Sequence, residues 1–177
     1  LEDWRWIVDI NLLGVAYGVE IFTPLIESHG EGGHFINTAS MAGHVAAPGM
    51  GPYNATKYAV VGYSEALKLE LAPRGIGVSI LCPAWVKTNI HNTGFDKPSG
   101  GITREEAASD PQYKQMQAVI EGGLGADLVA GWVSDCVEAD RLYIFTHPDF
   151  ASFIDMKHAG IKADYDAAAK DGRFEGV

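Results

Sequence analysis

Basic residues are scarce: 13 Lys and Arg stand against 23 Asp and Glu, a formal charge of −10 at pH 7. That balance excludes a nucleic-acid partner, because phosphate binding needs a basic surface. Cysteine is rarer still, with only Cys82 and Cys136 in 177 residues. Each lies inside an apolar segment, so reduced, buried thiols and a cytoplasmic setting are expected rather than a disulfide framework, with a bridge between the two left open. No basic stretch, apolar run and small-residue cleavage site open the chain, which argues against a signal peptide. No apolar run approaches bilayer-spanning length, and no membrane partner is expected. The six histidines show no HExxH or other close ligand spacing, so no metal site is expected from them. An initiating methionine is also missing, and "LEDWRWIVDINLLG" reads as helix from its second or third residue; a fragment is expected.

What is present describes a soluble globular domain. Hydrophobic residues make up 47% and aromatics 10%, enough for one domain over residues 1–177 with a sizeable core. The first segment, to about Ser28, is apolar on nearly every side, and such a helix must be covered on more than one face. Pro24 is placed to kink it. After glycines 30, 32 and 33, "HFINTAS" reads as a short buried strand. "PYNATKYAVVGYSEALKLELAPRG" reads as a helix with Pro52 in its first turn and Pro73 and Gly75 at its end. "IGVSILCPAWV" is a second strand, continuous and β-branched. Residues 87–125 are polar and long for a connection, which marks a functional loop or lid. "ADLVAGWVSDCVEA" is an amphipathic helix, "RLYIFT" a third strand, and the tail from Asp149 is helical. Strands alternating with helices predict an α/β fold with a parallel sheet covered on both faces.

The stretch "SMAGHVAAPGMGPYNATKYAV" holds the chemistry. Tyr53 and Lys57 are four apart on a predicted helix, so both project from one face. A free phenol ionises only near pH ~10. An ammonium one turn away, with the positive end of the helix around Pro52, favours the phenolate and suits a proton donor. Ser40, just upstream, is placed to hold a substrate oxygen. Taken singly these residues are ordinary: a Tyr–Lys pair at this spacing is usually a surface patch, and a lone serine carries less.

Their combination carries more. "YNATK", with Ser40 thirteen residues before Tyr53, "FINTAS" leading into it and "ILCPAWVKT" beyond, resembles the short-chain dehydrogenase/reductase family from the start of the chain to about Asn89. The remainder resembles it in outline. The resemblance implies a Rossmann-type doubly wound parallel sheet, here its last three strands and their helices, and NAD or NADP as cofactor. Carried over residue by residue, Tyr53 is the general acid/base, Lys57 stabilises its phenolate and holds the nicotinamide ribose, and Ser40 orients the substrate carbonyl or hydroxyl. Asn11, in "VDINLLG", matches the asparagine that holds a water in the proton relay. Pro83, Val86 and Thr88 match the segment that lines the nicotinamide, with Thr88 placed to bond the carboxamide. Pro83-Ala84 replaces the family's usual Pro-Gly, a change expected to tighten that pocket.

The glycine-rich turn that cradles a pyrophosphate is not found, since glycines 30, 32 and 33 precede a strand and not a helix. An open sheet edge beside "HFINTAS" is therefore expected, and the chain by itself is expected to be inactive. The resemblance also implies a homodimer or homotetramer, through a four-helix contact using the first helix and the Tyr53 helix. Asn54-Ala55-Thr56 fits a glycosylation pattern but lies beside Tyr53 in a chain without a secretion signal, and is discounted. Ser40 lacks the G-x-S-x-G elbow of a hydrolase.

The reaction expected is reversible hydride transfer between a secondary alcohol and nicotinamide, with Tyr53 passing the proton. Ile90, Phe95, Tyr113 and Met116 suggest an apolar or aromatic substrate pocket, and "ADRLYIFTHPDF" faintly resembles family members that oxidise benzylic alcohols of lignin-derived aryl ethers. Two alternatives stand beside this: an epimerase or dehydratase using Tyr-x-x-x-Lys with nicotinamide, and a non-catalytic nucleotide-sensing or scaffold protein of the same fold.

Overall fold

A computed structural model describes residues 1–174, apart from the surroundings of residues 94 and 96. It resolves into two compact units, Leu1–Thr146 and His147–Val177. The first is α/β. Its elements are α1 (Glu2–Val8), a π turn (Asp9–Leu13), α2 (Gly14–His29), β1 (Gly33–Thr38), α3 (Gly51–Leu71), β2 (Ile76–Cys82), α4 (Arg104–Ser109), α5 (Pro111–Glu121), α6 (Ala126–Glu138) and β3 (Tyr143–Phe145). The three strands pair in parallel in the order β1-β2-β3. In the second unit α7 (Ala151–Ala169) forms the expected helical tail.

β2 is central because its alternate side chains have a core to enter. Ile76, Val78, Ile80 and Cys82 face one side and are fully or almost fully buried. α3 meets them with Val60, Val61, Leu67 and Leu71, at the three- and four-residue spacing of one helix face. Leu12, Val15 and Val19 of the first helical run close the same layer. Each large apolar side chain so buried stabilises the fold by about 1.5–3 kcal/mol. On the opposite side of β2, between Gly77 and Leu81, Ser79 donates to the carbonyl of Arg141 at 2.6 Å and meets His34 Nε2 at 2.7 Å. Serine has one proton, so His34 is the donor of that pair.

The first helical run differs from expectation in two ways. It was expected to be covered on more than one face, yet only Val19 and Thr23 are buried in α2, while Tyr17, Ile21, Phe22 and Leu25 are exposed. Glu2–His29 is also long and apolar enough, by length and composition, to cross a membrane. The expectation that no run reaches that length is corrected: Asn11, Gly14 and Gly18 interrupt the apolar run on paper without lowering its average much, and the charges gather toward the ends. Pro24 lies inside α2.

Residues 87–125 are also more regular than their polarity suggested. They hold a 3-10 segment (Ile90–Asp96), α4 and α5. Thr103 and Glu106 form a reciprocal capping box at the start of α4. Asp110 accepts from Gln112 N at 2.8 Å ahead of Pro111, which opens α5. The two caps were legible as T-R-E-E and D-P, but composition outweighed them. The segment opens and closes at one place: Val86 bridges to Leu124, Lys87 N donates to Leu124 O at 2.8 Å, and Leu124 N donates to Trp85 O at 2.9 Å.

The approach of the post-β1 turn to α3 sets the position of everything downstream. Gly43 ends a 3-10 turn (Met41–Gly43), and a Cβ there would lie 2.7 Å from the carbonyl oxygen of Lys57 and 2.9 Å from Val61 Cγ2. Only glycine permits that approach. Gly43→Ala is expected to destabilise the protein by about 1–3 kcal/mol through overpacking, read as a lowered Tm. An unchanged Tm contradicts the close contact.

Candidate active site at the carboxyl ends of the strands

Ser40, Lys57 and Pro83 gather where β1 and β2 end. The Lys57 ammonium is almost fully buried and donates from Nζ to the carbonyl of Thr38 at 2.9 Å. Burial holds its ionisation below the ordinary lysine value, opposed by the neighbouring Cys82. Tyr53, one turn earlier on α3, is half-buried, with its ring centroid 5.8 Å from Lys57 Nζ. The pair shares one helix face, as the spacing predicts.

Ser40 caps the 3-10 turn. Its Oγ accepts from Ala42 N at 3.1 Å and donates to Pro83 O at a long 3.3 Å, while Met41 N donates to the same carbonyl at 2.9 Å. The turn after β1 is thus tied to the segment after β2. Ser40 and Tyr53 make no hydrogen bond with each other among the described residues.

Asn11 lies in the π turn, where Gly14 N donates to Asp9 O five residues back. Widening the helix by one residue is how a side chain is re-aimed within it, and Asn11 Nδ2 here donates to Thr56 Oγ1 at 3.2 Å. Val86 and Thr88 lie further along the chain: Val86 holds the bridge to Leu124, and Thr88 Oγ1 accepts from Ile90 N at 3.4 Å. Tyr113, on α5, donates to Asn92 Oδ1 at 2.9 Å and packs against His91 and Phe95.

Two residues escaped notice as structural parts of the site. Asn54 is buried; its Nδ2 donates to Ala42 O at 2.8 Å and Val45 O at 3.2 Å, and its Oδ1 accepts from Ala47 N at 3.3 Å. It thereby pins the loop between Ser40 and Tyr53 onto α3. The side chain that the sequence pattern offered for glycosylation is spent inside the fold. His44, on the same loop, packs edge-on against Tyr143 and tilted against Phe145, and sits 3.3 Å by Nε2 from Cys82 Sγ. Only chain direction through a tight loop could have announced either contact.

The donor set fits the ribose and nicotinamide end of a dinucleotide. The Lys57 ammonium has three hydrogens and spends one on Thr38. The carboxyl ends of parallel strands are where such ligands sit. For the pyrophosphate, glycines 30 and 32 adopt positive φ of 72° and 76° and lead into β1, so no glycine-rich turn into a helix stands there. Cys82 and Cys136 are both free and fully buried, as their apolar settings predict. Burial pushes the Cys82 thiol up to about 12.

Comparison with known proteins places the chain among relatives of one family. The family model described as "short chain dehydrogenase" matches residues 1–98. The chain is 31% identical over 174 residues to the "CLA biosynthesis dehydrogenase/reductase" of Lactiplantibacillus plantarum, covering 92% of this chain and 59% of that protein. It is 30% identical over 148 residues to the "C alpha-dehydrogenase" of Sphingobium sp. (strain NBRC 103272 / SYK-6), covering 84% of this chain and 48% of that one. A short chain dehydrogenase/reductase from Burkholderia phymatum, solved in complex with NAD, superposes with a TM-score of 0.81 at 35% identity, over 93% of this chain and 60% of that one. Solved structures of lower identity hold NADPH or NADP. The chain spans 59% and 48% of the lengths of the two curated relatives.

Two outcomes follow from the packing. Asn54→Ala strips partners from Ala42, Val45 and Ala47 and is expected to cost about 1–3 kcal/mol in a denaturant titration; a neutral result removes Asn54 as the loop's anchor. The Cys82 thiol, neutral in the fold, contributes stability in full below the ordinary thiol value of 9.0 and loses it as pH rises toward about 12. The stability gap between wild type and Cys82→Ala is therefore expected to be constant below pH 9.0 and to shrink above it. A gap that widens above it contradicts the burial.

Proposed function

The chain belongs to the short-chain dehydrogenase family, and on that premise we propose that its protein transfers hydride between a secondary alcohol or ketone and NAD or NADP. Residues 1–177 act as the carboxyl-terminal portion of a Rossmann-type dehydrogenase domain. The observation that carries this reading is the buried Lys57 ammonium fixed to Thr38 O with the Tyr53 ring beside it.

The roles follow from which atoms are free. Ser40 Oγ exchanges its long bond to Pro83 O for one to the substrate oxygen. Tyr53 takes the proton of the alcohol as the carbinol carbon is oxidised, and returns it to the ketone oxygen on reduction. Lys57 keeps a positive charge next to the phenol in a site where burial strengthens the interaction, and offers its remaining hydrogens to the ribose hydroxyls. Asn11, bonded to Thr56 on the Tyr53 helix, holds the water that refills the relay. Pro83, Val86 and Thr88 line the nicotinamide. Bound there, the cofactor supplies the hydride acceptor or donor.

The excursion anchored between Val86 and Leu124 brings His91, Phe95 and Tyr113 together, and this aromatic lining supports an aromatic or hydrophobic substrate. The exposed Tyr17, Ile21, Phe22 and Leu25 of α2 support assembly as a homodimer or homotetramer through the first helical run and α3.

The test is alcohol-dependent reduction of NAD or NADP by the protein at its full length, followed at 340 nm over a panel of aryl and alkyl secondary alcohols. Tyr53→Phe, which keeps the ring and removes the hydroxyl, is expected to lower kcat by about 10²–10⁴-fold with cofactor binding retained. Turnover unchanged in Tyr53→Phe contradicts the reading.

A further inference from the structure

Among the described residues, Thr56 is the buried hydroxyl that bonds both the π turn and α3. It is 1% exposed, and its two hydrogen bonds have unambiguous directions. A threonine hydroxyl has one proton, and Thr56 Oγ1 spends it on the carbonyl of Tyr53 at 2.9 Å. The bond from Asn11 must then be donated by the amide, and Asn11 Nδ2 does so at 3.2 Å. The hydroxyl is therefore a bridge running from the π turn to the backbone of the tyrosine. Back-bonding of this kind often bends the helix turn that carries it, and the turn in question is the first of α3, which carries Tyr53 and leads into Lys57.

From this geometry we infer that Thr56 is a positioning residue for proton transfer, acting through the backbone of Tyr53 and the side chain of Asn11. The inference rests on the function proposed above and adds to it a residue that touches neither substrate nor cofactor. Three features make the bridge specific. The π turn places Asn11 against α3. Thr56 is sealed from water, so no solvent molecule replaces a lost partner. Tyr53 is only half-buried, so packing alone leaves its ring latitude that a fixed backbone carbonyl removes.

Two variants and two readouts test it. Thr56→Val keeps the shape and removes the hydroxyl; Thr56→Ser keeps the hydroxyl. On the full-length protein, Thr56→Val is expected to lower kcat by at least ~10-fold, on the scale of a small misplacement of a catalytic group, with the KM for the cofactor within about twofold. Thr56→Ser is expected to restore kcat to within about threefold of wild type. A purely structural role predicts instead that both variants follow their Tm. The second readout needs no turnover: the side-chain amide signals of Asn11 in a 15N-1H spectrum, assigned by their loss in Asn11→Asp, are expected to move in Thr56→Val and stay in Thr56→Ser. Wild-type kcat in Thr56→Val, or failure of Thr56→Ser to recover it, overturns the inference. If wild type oxidises no alcohol, the proposed function fails; unmoved Asn11 signals in Thr56→Val then overturn the bridge as well, and moved ones uphold it.

Discussion

One hydrogen bond, from the Lys57 ammonium to the carbonyl of Thr38, fixes where the rest of the site can be. A buried cation without a partner is costly, so the lysine's reach determines how far α3 stands from the end of β1. The pairing of β1 with β2 extends through Thr38 and Leu81, and Ala39 N continues it by donating to Leu81 O at 2.9 Å. The lysine is thus bonded to the last rung of a rigid ladder. Its neighbour Tyr53 inherits that position, since the two are four positions apart on one helix with no glycine between.

The loop from Ser40 to Tyr53 is held to the same standard by different means. Gly43 lets the backbone touch Lys57 O, Asn54 holds three backbone groups of residues 42–47, and Tyr58 donates to His44 O at 2.6 Å. A segment with two prolines, three glycines and no strand of its own would otherwise be mobile. Pinned this way, it delivers Ser40 and Tyr53 to opposite ends of one short, fixed path. The excursion over residues 88–123 follows a contrasting plan: backbone bonds among Trp85, Lys87 and Leu124 hold its ends, and Ser99 bonds the Asp3 carboxylate from N at 3.2 Å and from Oγ at 2.7 Å.

Legibility in the sequence followed the range of the interactions. Helices and strands of the first unit were readable because each shows its own period, as in the buried side chains of β2 and the 60, 61, 64, 67 and 71 spacing on α3. The Tyr53–Lys57 pair was readable because four residues in a helix are neighbours. Asn11 and Thr56 were not readable as partners: 45 residues separate them, and the π turn that joins them has no local signature in "DINLL". The glycosylation pattern at Asn54 was rightly discounted, but the three bonds of its amide to residues 42–47 were no more readable. The caps of α4 and α5 were a different kind of miss. Their signals were local and plain, but a polar composition hid them.

The central claim is hydride transfer from a carbinol carbon with the proton passing to Tyr53. The most direct measurement uses a secondary alcohol carrying deuterium on that carbon, oxidised by the full-length protein with NAD or NADP, with the recovered nicotinamide weighed by mass spectrometry. One deuterium in each reduced nicotinamide, matched by one ketone formed, is the predicted result. Deuterium retained in a rearranged or dehydrated product with no net reduced cofactor contradicts the claim and favours an epimerase or dehydratase on the same scaffold.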